Sequence, residues 1–431
     1  MILADDFTGA LDSGVQLSKL GAATHVVTNL DICFDTVDRE IQVLVVDTET
    51  RHLSAEKART IVRDISARAK AAGIPMIYKK TDSALRGNIG AELDGVLEGS
   101  AVETLYFIPA FPKLGRSTSD GIHYFEGVPI HETVFGKDPF EPVQDSFVPD
   151  IIKRQSDIPV TLVKTTQKAP YSGEGKSIVL FDAVSDDTLK SIALNFRKTQ
   201  PTNVLAGCAG FAEYLPWILN LQCNAHPIQI SAPGVLVVSG SLNPITARQL
   251  DTARSAGFAF VALTPELKMY GVPETKEGEK FLNKILRLFE KNKRVLVASI
   301  NTETVINPSQ VNDEVSQTVA ANIGNLVSRL FAKGLNCTVV ATGGDTLRGI
   351  LDSMKCSDII PLYEIETGVV MSTAQTADRC LSVVSKSGGF GSDEVFVHVA
   401  QFIDELSSDG NANLEKPSSF EGFPERPLTQ L

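Results

Sequence analysis

Gln42-Val-Leu-Val-Val-Asp47 decides the fold class: its four central residues are all apolar, with no alternation of polar and apolar positions. A strand apolar on both faces must be covered on both faces, which is the pattern of a parallel sheet flanked by helices. Working outward, residues 54–72 carry helical periodicity, residues 76–80 read as a third strand and residues 104–109 as a fourth. In the other direction, residues 1–4 read as a short first strand running into the turn Asp5-Asp6-Phe7-Thr8-Gly9. A helix follows, with Leu11, Val15, Leu17 and Leu20 on its apolar side. Strand and helix alternate, so βαβ crossovers and a doubly wound sheet are expected.

Further along, the alternation stops between residues 113 and 148, where Gly, Pro and His are frequent, the mark of a functional loop or an insertion. It resumes near Val160, with strands at 177–181 and 204–207. The stretch NAHPIQISAP (224–233) is neither helical nor strand-like and reads as a domain boundary. A second unit opens on the clean strand 234–239 and continues through 294–299, a helix over 315–333 and a strand at 338–341. After residue 407 the chain is polar and rich in Pro and Gly, a surface tail. The expected architecture is α/β: two doubly wound domains, 1–226 and 233–406, with a ligand cleft between them, and a tail over 407–431.

Bulk properties agree. A chain of 431 residues is too long for one core. A net charge of −12 disfavours nucleic acid, whose phosphates need a basic footprint, yet a few local Arg and Lys can still hold a small anion. The six cysteines form no C-x-x-C pair and read as buried free thiols of a reducing compartment. No apolar run approaches the roughly 20 residues of a membrane helix, and no secretory apolar segment opens the chain, so the cytoplasm is expected.

Four strand ends in the second unit carry small, backbone-exposing residues: Ser239-Gly240-Ser241, Gly343-Gly344-Asp345-Thr346, Gly368, and Ser385-Lys386-Ser387-Gly388-Gly389-Phe390-Gly391. Glycines let backbone N–H groups approach a phosphate, and a helix N-terminus adds partial positive charge. Lys386 reads as a further cation for that anion. The bland reading of Gly343–Asp345 is a tight turn with Asp345 as helix cap. Taken together, four such loops point to a nucleotide site, because ligands bind at strand carboxyl ends in open α/β sheets. Other nucleotide signatures fail on spacing. A P-loop ending at Ser177 would need a glycine where Pro170 stands, and no G-x-G-x-x-G opens a helix.

The first unit carries charge at the same places: Asp5, Asp6 and Thr8 at one strand end, then Lys79-Lys80-Thr81-Asp82-Ser83-Ala84-Leu85-Arg86-Gly87-Asn88, then Gly115-Arg116. Carboxylates accept from substrate hydroxyls, and Lys or Arg hold a substrate carboxylate, so a polyhydroxy acid suits this mixture. Taken alone, Lys79 reads as a solvated loop charge; Asp82 and Arg86, in a polar turn directly after a strand, read as functional.

These segments, with IPAFPKLGR (108–116), DGIHYFEGVPI (120–130), SGSLNPITARQ (239–249) and ATGGDT (341–346), closely resemble the four-carbon acid sugar kinase family over essentially the whole chain except the tail. The resemblance implies a sugar-acid-binding N-terminal domain, an ATP-binding C-terminal domain, and phosphorylation at O4 of a tetronate such as D-threonate, D-erythronate or a 3-oxo-tetronate. Residues 115–142 are worded more like the D-threonate and D-erythronate branch. Carried over by position, Asp5, Asp6, Lys80, Asp82, Ser83, Arg86 and Arg116 would form the acid-sugar site. Ser239, Ser241, Gly343, Gly344, Gly368, Gly388 and Gly389 would form the nucleotide site, and we add Thr346. The one departure is the abbreviated first strand, which bears on strand pairing.

The expected reaction is phosphoryl transfer from ATP, with Mg²⁺ held mainly by the phosphates and water. Asp6 is the expected acceptor of the hydroxyl proton and Asp345 the alternative; no protein metal ligand is expected. A non-catalytic sensor of sugar acid or nucleotide is the rival from another class, and a homodimer is the association to test.

Overall fold

The computed structural model describes residues 1–138, 141–164, 175–200, 202–221, 230, 233–240, 243–298, 313–356, 358–376 and 378–409. They form two compact units that divide at residues 225–226.

The strands of the first unit are β1 (Ile2–Ala4), β2 (Thr24–Val27), β3 (Val43–Asp47), β4 (Ile77–Lys80), β5 (Thr104–Ile108), β6 (Arg116–Ser119), β7 (Ile122–Phe125), β8 (Val128–Pro129), β9 (Val160–Val163), β10 (Ser177–Phe181) and β11 (Val204–Gly207). Its helices are α1 (Phe7–Ser18), α2 (Ala55–Ala71), α3 (Ile89–Ser100), α4 (Val148–Lys153), α5 (Asp186–Thr199), α6 (Ala209–Ala212) and α7 (Leu215–Ile218). Eight strands pair in the order β2-β3-β1-β4-β11-β5-β10-β9, every neighbour parallel. Although β1 has three residues, it pairs on both sides, Ile2 with Val45 and with Tyr78. Its residues are all buried, so burial compensates for its length. One face of the sheet packs Leu3, Val46, Ile77 and Phe107 against Val62 and Ile65 of α2 and Leu93, Val96 and Leu97 of α3. Gly95 and Gly99 let α3 approach α2: a Cβ at Gly99 would lie 2.2 Å from the Arg63 carbonyl oxygen.

The segment expected to be irregular is instead a three-stranded antiparallel sheet, β6-β7-β8, followed by short 3₁₀ turns. Asp120-Gly121 and Glu126-Gly127 close its two hairpins with positive φ at both positions (50° and 75°; 51° and 79°). Such turns match the twist of the strands they join.

In the second unit, β12 (Val235–Ser239), β13 (Ala259–Ala262), β14 (Arg294–Ala298), β15 (Thr338–Thr342), β16 (Asp358–Glu366), β17 (Val369–Gln375) and β18 (Cys380–Lys386) alternate with α8 (Pro244–Ser255), α9 (Pro265–Tyr270), α10 (Lys276–Asn292), α11 (Asp313–Ala332), α12 (Gly344–Ser353) and α13 (Val395–Asp409). Their order is β13-β14-β12-β15-β18-β17-β16. The first five are parallel, while β17 runs antiparallel to β18 and β16. The fold is therefore mixed α/β, with an antiparallel hairpin the alternation did not foretell. Two residues, Thr367 and Gly368, join β16 to β17, and so short a link cannot cross over to make a parallel pair. Val237, Leu296, Val340 and Val384 pack against Leu250 and Ala253 of α8 and Val395, Phe396, Val399 and Ile403 of α13.

In each sheet the chain builds outward to one side of its first strand and then crosses to the other. In the first unit the chain leaves β1 toward β3 and β2 and returns to place β4 on the other side; in the second it leaves β12 toward β14 and β13 and returns through β15. The carboxyl ends of β1 and β4, and of β12 and β15, are therefore topological switch points, where open sheets leave a crevice for ligand.

Three cysteines, Cys208, Cys337 and Cys356, are buried free thiols as expected, but Cys33 and Cys380 are exposed; Cys223 lies outside the described residues. Among the described residues no helix is long and apolar enough to cross a membrane.

Candidate functional site

At the carboxyl end of β1, Asp5 continues the buried strand and Asp6 turns out of it to cap α1. The Asp6 carboxylate accepts from the Gly9 amide (3.0 Å) and the Thr8 hydroxyl (2.6 Å). Its principal partner is Arg51, which the sequence reading missed. Arg51 donates through both Nη atoms to Asp6 (2.9 and 2.7 Å) and through Nε to Asp5 (2.7 Å), and lies 3.6 Å from Asp82. Burial works against the guanidinium's charge, but Asp5, Asp6 and Asp82 together raise its pKa well above the ordinary value. Burial would likewise raise Asp5; Arg51, Lys80 and Lys79 hold it below its usual range. The available signal was position: Arg51 sits between the end of a buried strand and the cap of the next helix, Ser54.

The loop bearing Arg51 is seated by Gly87 and Asn88. The Asn88 amide donates to the carbonyls of Thr50 (2.9 Å) and Leu53 (2.8 Å). A Cβ at Gly87, where φ is +83°, would lie 2.9 Å from Arg51 Cγ.

Successive side chains of β4 point to opposite faces, which separates its two lysines. Lys79, expected to be solvated, is fully buried. Its ammonium pairs with Glu92 (2.9 Å) and donates to the carbonyls of Leu3 (3.2 Å) and Lys80 (2.7 Å). Glu92, pushed up by burial, also accepts from the Thr50 hydroxyl. This pair ties β1, β4 and the Arg51 loop together behind the site. Lys80 faces the other way. Burial opposes its charge, but Asp5, Asp6 and Asp12 raise its pKa, so it stays an ammonium. A Cβ on Gly9 would sit 2.6 Å from Lys80 Nζ and 2.5 Å from Asp6 Oδ1, so glycine there leaves room for both groups. Among the described residues Lys80 Nζ makes no hydrogen bond or ion pair, although the residue is 4% exposed.

Asp82 accepts from Arg86 Nε (2.8 Å) and Nη2 (2.9 Å) and from the Ala84 and Arg86 amides. Burial would raise it, yet Arg86 and Arg51 hold it well below the carboxylate range. Ser83 is half-buried, and its carbonyl accepts from His123 Nε2 (2.9 Å), whose Nδ1 meets the Thr118 hydroxyl (3.0 Å). Burial drives His123 down to about 4, so it is neutral. Arg116 donates to the Leu114 carbonyl (2.7 Å) and lies over the rings of Phe125 (5.0 Å) and Phe135 (5.3 Å); Arg86 rests on Phe135 as well (5.6 Å). Phe125, Phe135, and Asp138 beside Arg86 (3.2 Å), come from the segment after β5 and were not foreseen. Asp5, Asp6, Lys80, Asp82, Ser83 and Arg86 thus follow or end strands at the carboxyl edge of one sheet, and Arg116, which opens β6 of the antiparallel sheet, joins them at the Phe135 ring it shares with Arg86. A cavity of about 570 Å³ lined by Met1, Leu44, Met76 and Asn203 opens at the opposite, amino-terminal edge, away from them.

In the second unit Ser239, Thr342 and Lys386 end three adjacent parallel strands in register. The Thr342 hydroxyl donates to the Ser239 hydroxyl (2.6 Å); Thr342, too, was not foreseen. Gly343 (φ +91°) caps α12, so Asp345 is not the cap but an exposed residue of the first helical turn, with Gly344 before it and buried Thr346 after it. Gly368 (φ +74°) lies in the β16–β17 turn, where a Cβ would strike the Phe390 ring at 2.5 Å. Gly388 and Gly389 follow β18, and a Cβ at Gly389 would meet nothing within 4 Å. Lys386 is turned inward, donating to backbone carbonyls of its own loop rather than outward as a cation for phosphate. Ser241 lies outside the described residues.

One unit thus gathers fixed charge at its switch point and the other gathers bare backbone and a helix N-terminus. Asp6 and Asp345, the two candidate proton acceptors, belong to different units. Residues 1–215 match the model of a sugar-binding N-terminal domain and residues 236–396 that of a nucleotide-binding C-terminal domain. The chain is 29% identical to the D-threonate kinase of Salmonella typhimurium over 94% of this chain and 98% of that one. It is 31% identical to the D-erythronate kinase of Heliobacterium modesticaldum over 59% and 60%, and 26% identical to the 3-oxo-tetronate kinase of Methylobacterium radiotolerans over 91% and 96%. A solved structure from Salmonella typhimurium LT2 aligns with a TM-score of 0.76 at 20% identity, covering 93% of this chain and 98% of that one, a likeness of fold. With both domain models matched in order, and kinases of this kind aligned along nearly its full length, the chain belongs to the four-carbon acid sugar kinase family.

Proposed function

We propose that the protein transfers the γ-phosphate of ATP to the C4 hydroxyl of a four-carbon sugar acid, D-threonate or D-erythronate. The observation that carries this reading is Lys80: a residue only 4% exposed whose ammonium has no hydrogen-bond partner among the described residues and stands among carboxylates that can take hydroxyls. An anionic polyol answers both needs. Arg86 and Arg116, held on Phe135, are the cations for the substrate carboxylate.

Asp6 is the proposed acceptor of the C4 hydroxyl proton. Its two oxygens already accept four hydrogen bonds, two from Arg51 and one each from Gly9 and Thr8, which fills a carboxylate. A substrate hydroxyl takes its place by displacing Thr8, the only neutral side chain of the four. Positioning and charge stabilisation carry most of phosphoryl transfer, so a base that is mainly an orienter suffices. Asp345 is the alternative acceptor.

On the nucleotide side, Ser239, Gly343, Gly344, Thr346, Gly388 and Gly389 would receive the phosphates through backbone amides, hydroxyls and the N-terminus of α12. The open space at Gly389 and the positive φ of Gly343 fit that role. ATP supplies the phosphoryl group, and Mg²⁺ would be held by its phosphates and water. The free exposed thiols Cys33 and Cys380 suit a reducing cytoplasm.

The test is ADP release on incubating the protein with ATP–Mg²⁺ and D-threonate, D-erythronate, L-threonate and a 3-oxo-tetronate. Rapid ADP formation with D-threonate or D-erythronate supports the reading. Turnover confined to the 3-oxo acid would move the protein to that branch. Tight binding of acid and nucleotide without ADP would make it a sensor.

A further inference from the structure

Residues 387–392 follow β18, and five of their six carbonyl groups are pulled to one side. Lys386 Nζ donates to the carbonyls of Ser387 (3.1 Å), Gly388 (3.2 Å) and Phe390 (3.1 Å). Gln249 Nε2 donates to those of Phe390 (3.1 Å), Gly391 (3.0 Å) and Ser392 (2.9 Å), and the Thr246 hydroxyl adds a bond to Gly388 (3.0 Å). Thr246 and Gln249 lie three apart on α8, hence on one face of it, and both are fully buried, as is Lys386 to within 1%. Gln249 Oε1 is buried without a hydrogen-bond partner, so this side chain is kept for its donor at the expense of its acceptor.

A peptide unit is planar and trans, so the carbonyl of one residue and the N–H of the next point in opposite directions. Drawing in the carbonyls of Ser387, Gly388 and Phe390 therefore turns out the amides of Gly388, Gly389 and Gly391. All three are glycines, and the outer side of Gly389 is open. Successive outward amides form a concavity for an anion.

We infer that Lys386, Gln249 and Thr246 are positioning residues that hold the 387–392 loop from behind, presenting the amides of Gly388, Gly389 and Gly391 to the phosphates of a nucleoside di- or triphosphate. This deepens the proposed function and rests on its assignment of the second unit to nucleotide. The positive charge of Lys386 acts on the protein's own carbonyls, and the phosphates meet neutral backbone.

The experiment pairs calorimetric titration with Mg–ADP and steady-state kinetics on Gln249→Met, Lys386→Met, Thr246→Val and Thr246→Ser. Gln249→Met and Lys386→Met are expected to weaken ADP at least tenfold and to raise KM for ATP alike, with KM for the sugar acid within twofold of wild type. Thr246→Val should weaken ADP two- to fivefold and Thr246→Ser, which keeps the hydroxyl, should restore it. Asp251→Ala, on the exposed side of α8, should change neither. ADP affinity unchanged in the folded Gln249 and Lys386 variants would overturn the inference, as would equal rises in both KM values. If either methionine variant fails to fold, equal ADP affinity in the Thr246→Val and Thr246→Ser pair overturns it. Wild-type protein that binds no ADP would instead remove the nucleotide assignment itself.

Discussion

Replacing Arg51 by Lys tests the centre of the charged site. Arg51 makes three charge-assisted hydrogen bonds, one to Asp5 and two to Asp6, from a planar fork that an ammonium cannot imitate. Lysine keeps the charge, but its single nitrogen ends the chain short of where the guanidinium's Nε and two Nη atoms span Asp5 and Asp6, so two of the three bonds are expected to be lost. At roughly 1.5–3 kcal/mol each, the loss is about 3–6 kcal/mol, and the retained charge favours the lower end. Asp5 Oδ1 already has no hydrogen-bond partner, so the carboxylate left behind is buried with little to replace Arg51. For a unit of this size about 3 kcal/mol corresponds to a fall in Tm of roughly 6–12 °C. Because Arg51 also fixes Asp6, a shift of about 1 Å in that carboxylate should lower kcat/KM on the order of a hundredfold. Scanning calorimetry and steady-state kinetics on the best tetronate read the two effects. A Tm within about 1 °C of wild type together with kcat/KM within twofold would refute the idea that Arg51 organises the site.

Asp6→Asn should reduce kcat at least a hundredfold with KM for ATP unchanged, whereas Thr8→Val should cost less than tenfold; near-normal turnover of Asp6→Asn would pass the proton-acceptor role to Asp345. Gly368→Ala puts a methyl group 2.5 Å from the Phe390 ring at a φ of +74°, so KM for ATP should rise while KM for the acid holds, as kinetics with each substrate varied would show. His123 titrates at about 4 in the folded protein against an ordinary 6.5, so it binds its proton less readily folded than unfolded. Stability is therefore full above pH 6.5 and falls as pH drops toward 4, by about 3 kcal/mol from this residue. Urea midpoints between pH 4 and 7 should show that slope in wild type and a shallower one in His123→Gln.

Much of the fold was legible because the deciding signal is local. The strands 177–181 and 204–207 stand where their apolar runs placed them, and the loops singled out for chemistry do end adjacent strands. The antiparallel sheet after β5 was equally local but was passed over, since Asp120-Gly121 and Glu126-Gly127 are hairpin signals lying in a stretch that looked irregular as a whole.

By itself, the amino-acid sequence determined the layered α/β class, the polar turns at the ends of apolar strands, and the contrast between a charged set of loops and a glycine-rich one. Tertiary structure alone decided what each charge does. On a strand buried on both faces, alternation of polarity is lost, so nothing local separates Lys79, paired with Glu92 behind the site, from Lys80 within it. Arg51 acquires its role from Asp5 and Asp6, some 45 positions away, and Lys386 turns inward because Gln249 and Thr246, on a helix about 140 positions earlier, draw its loop to the same side. A side chain's partner is set by the crossing of distant segments, and a buried charge takes its function from its partner.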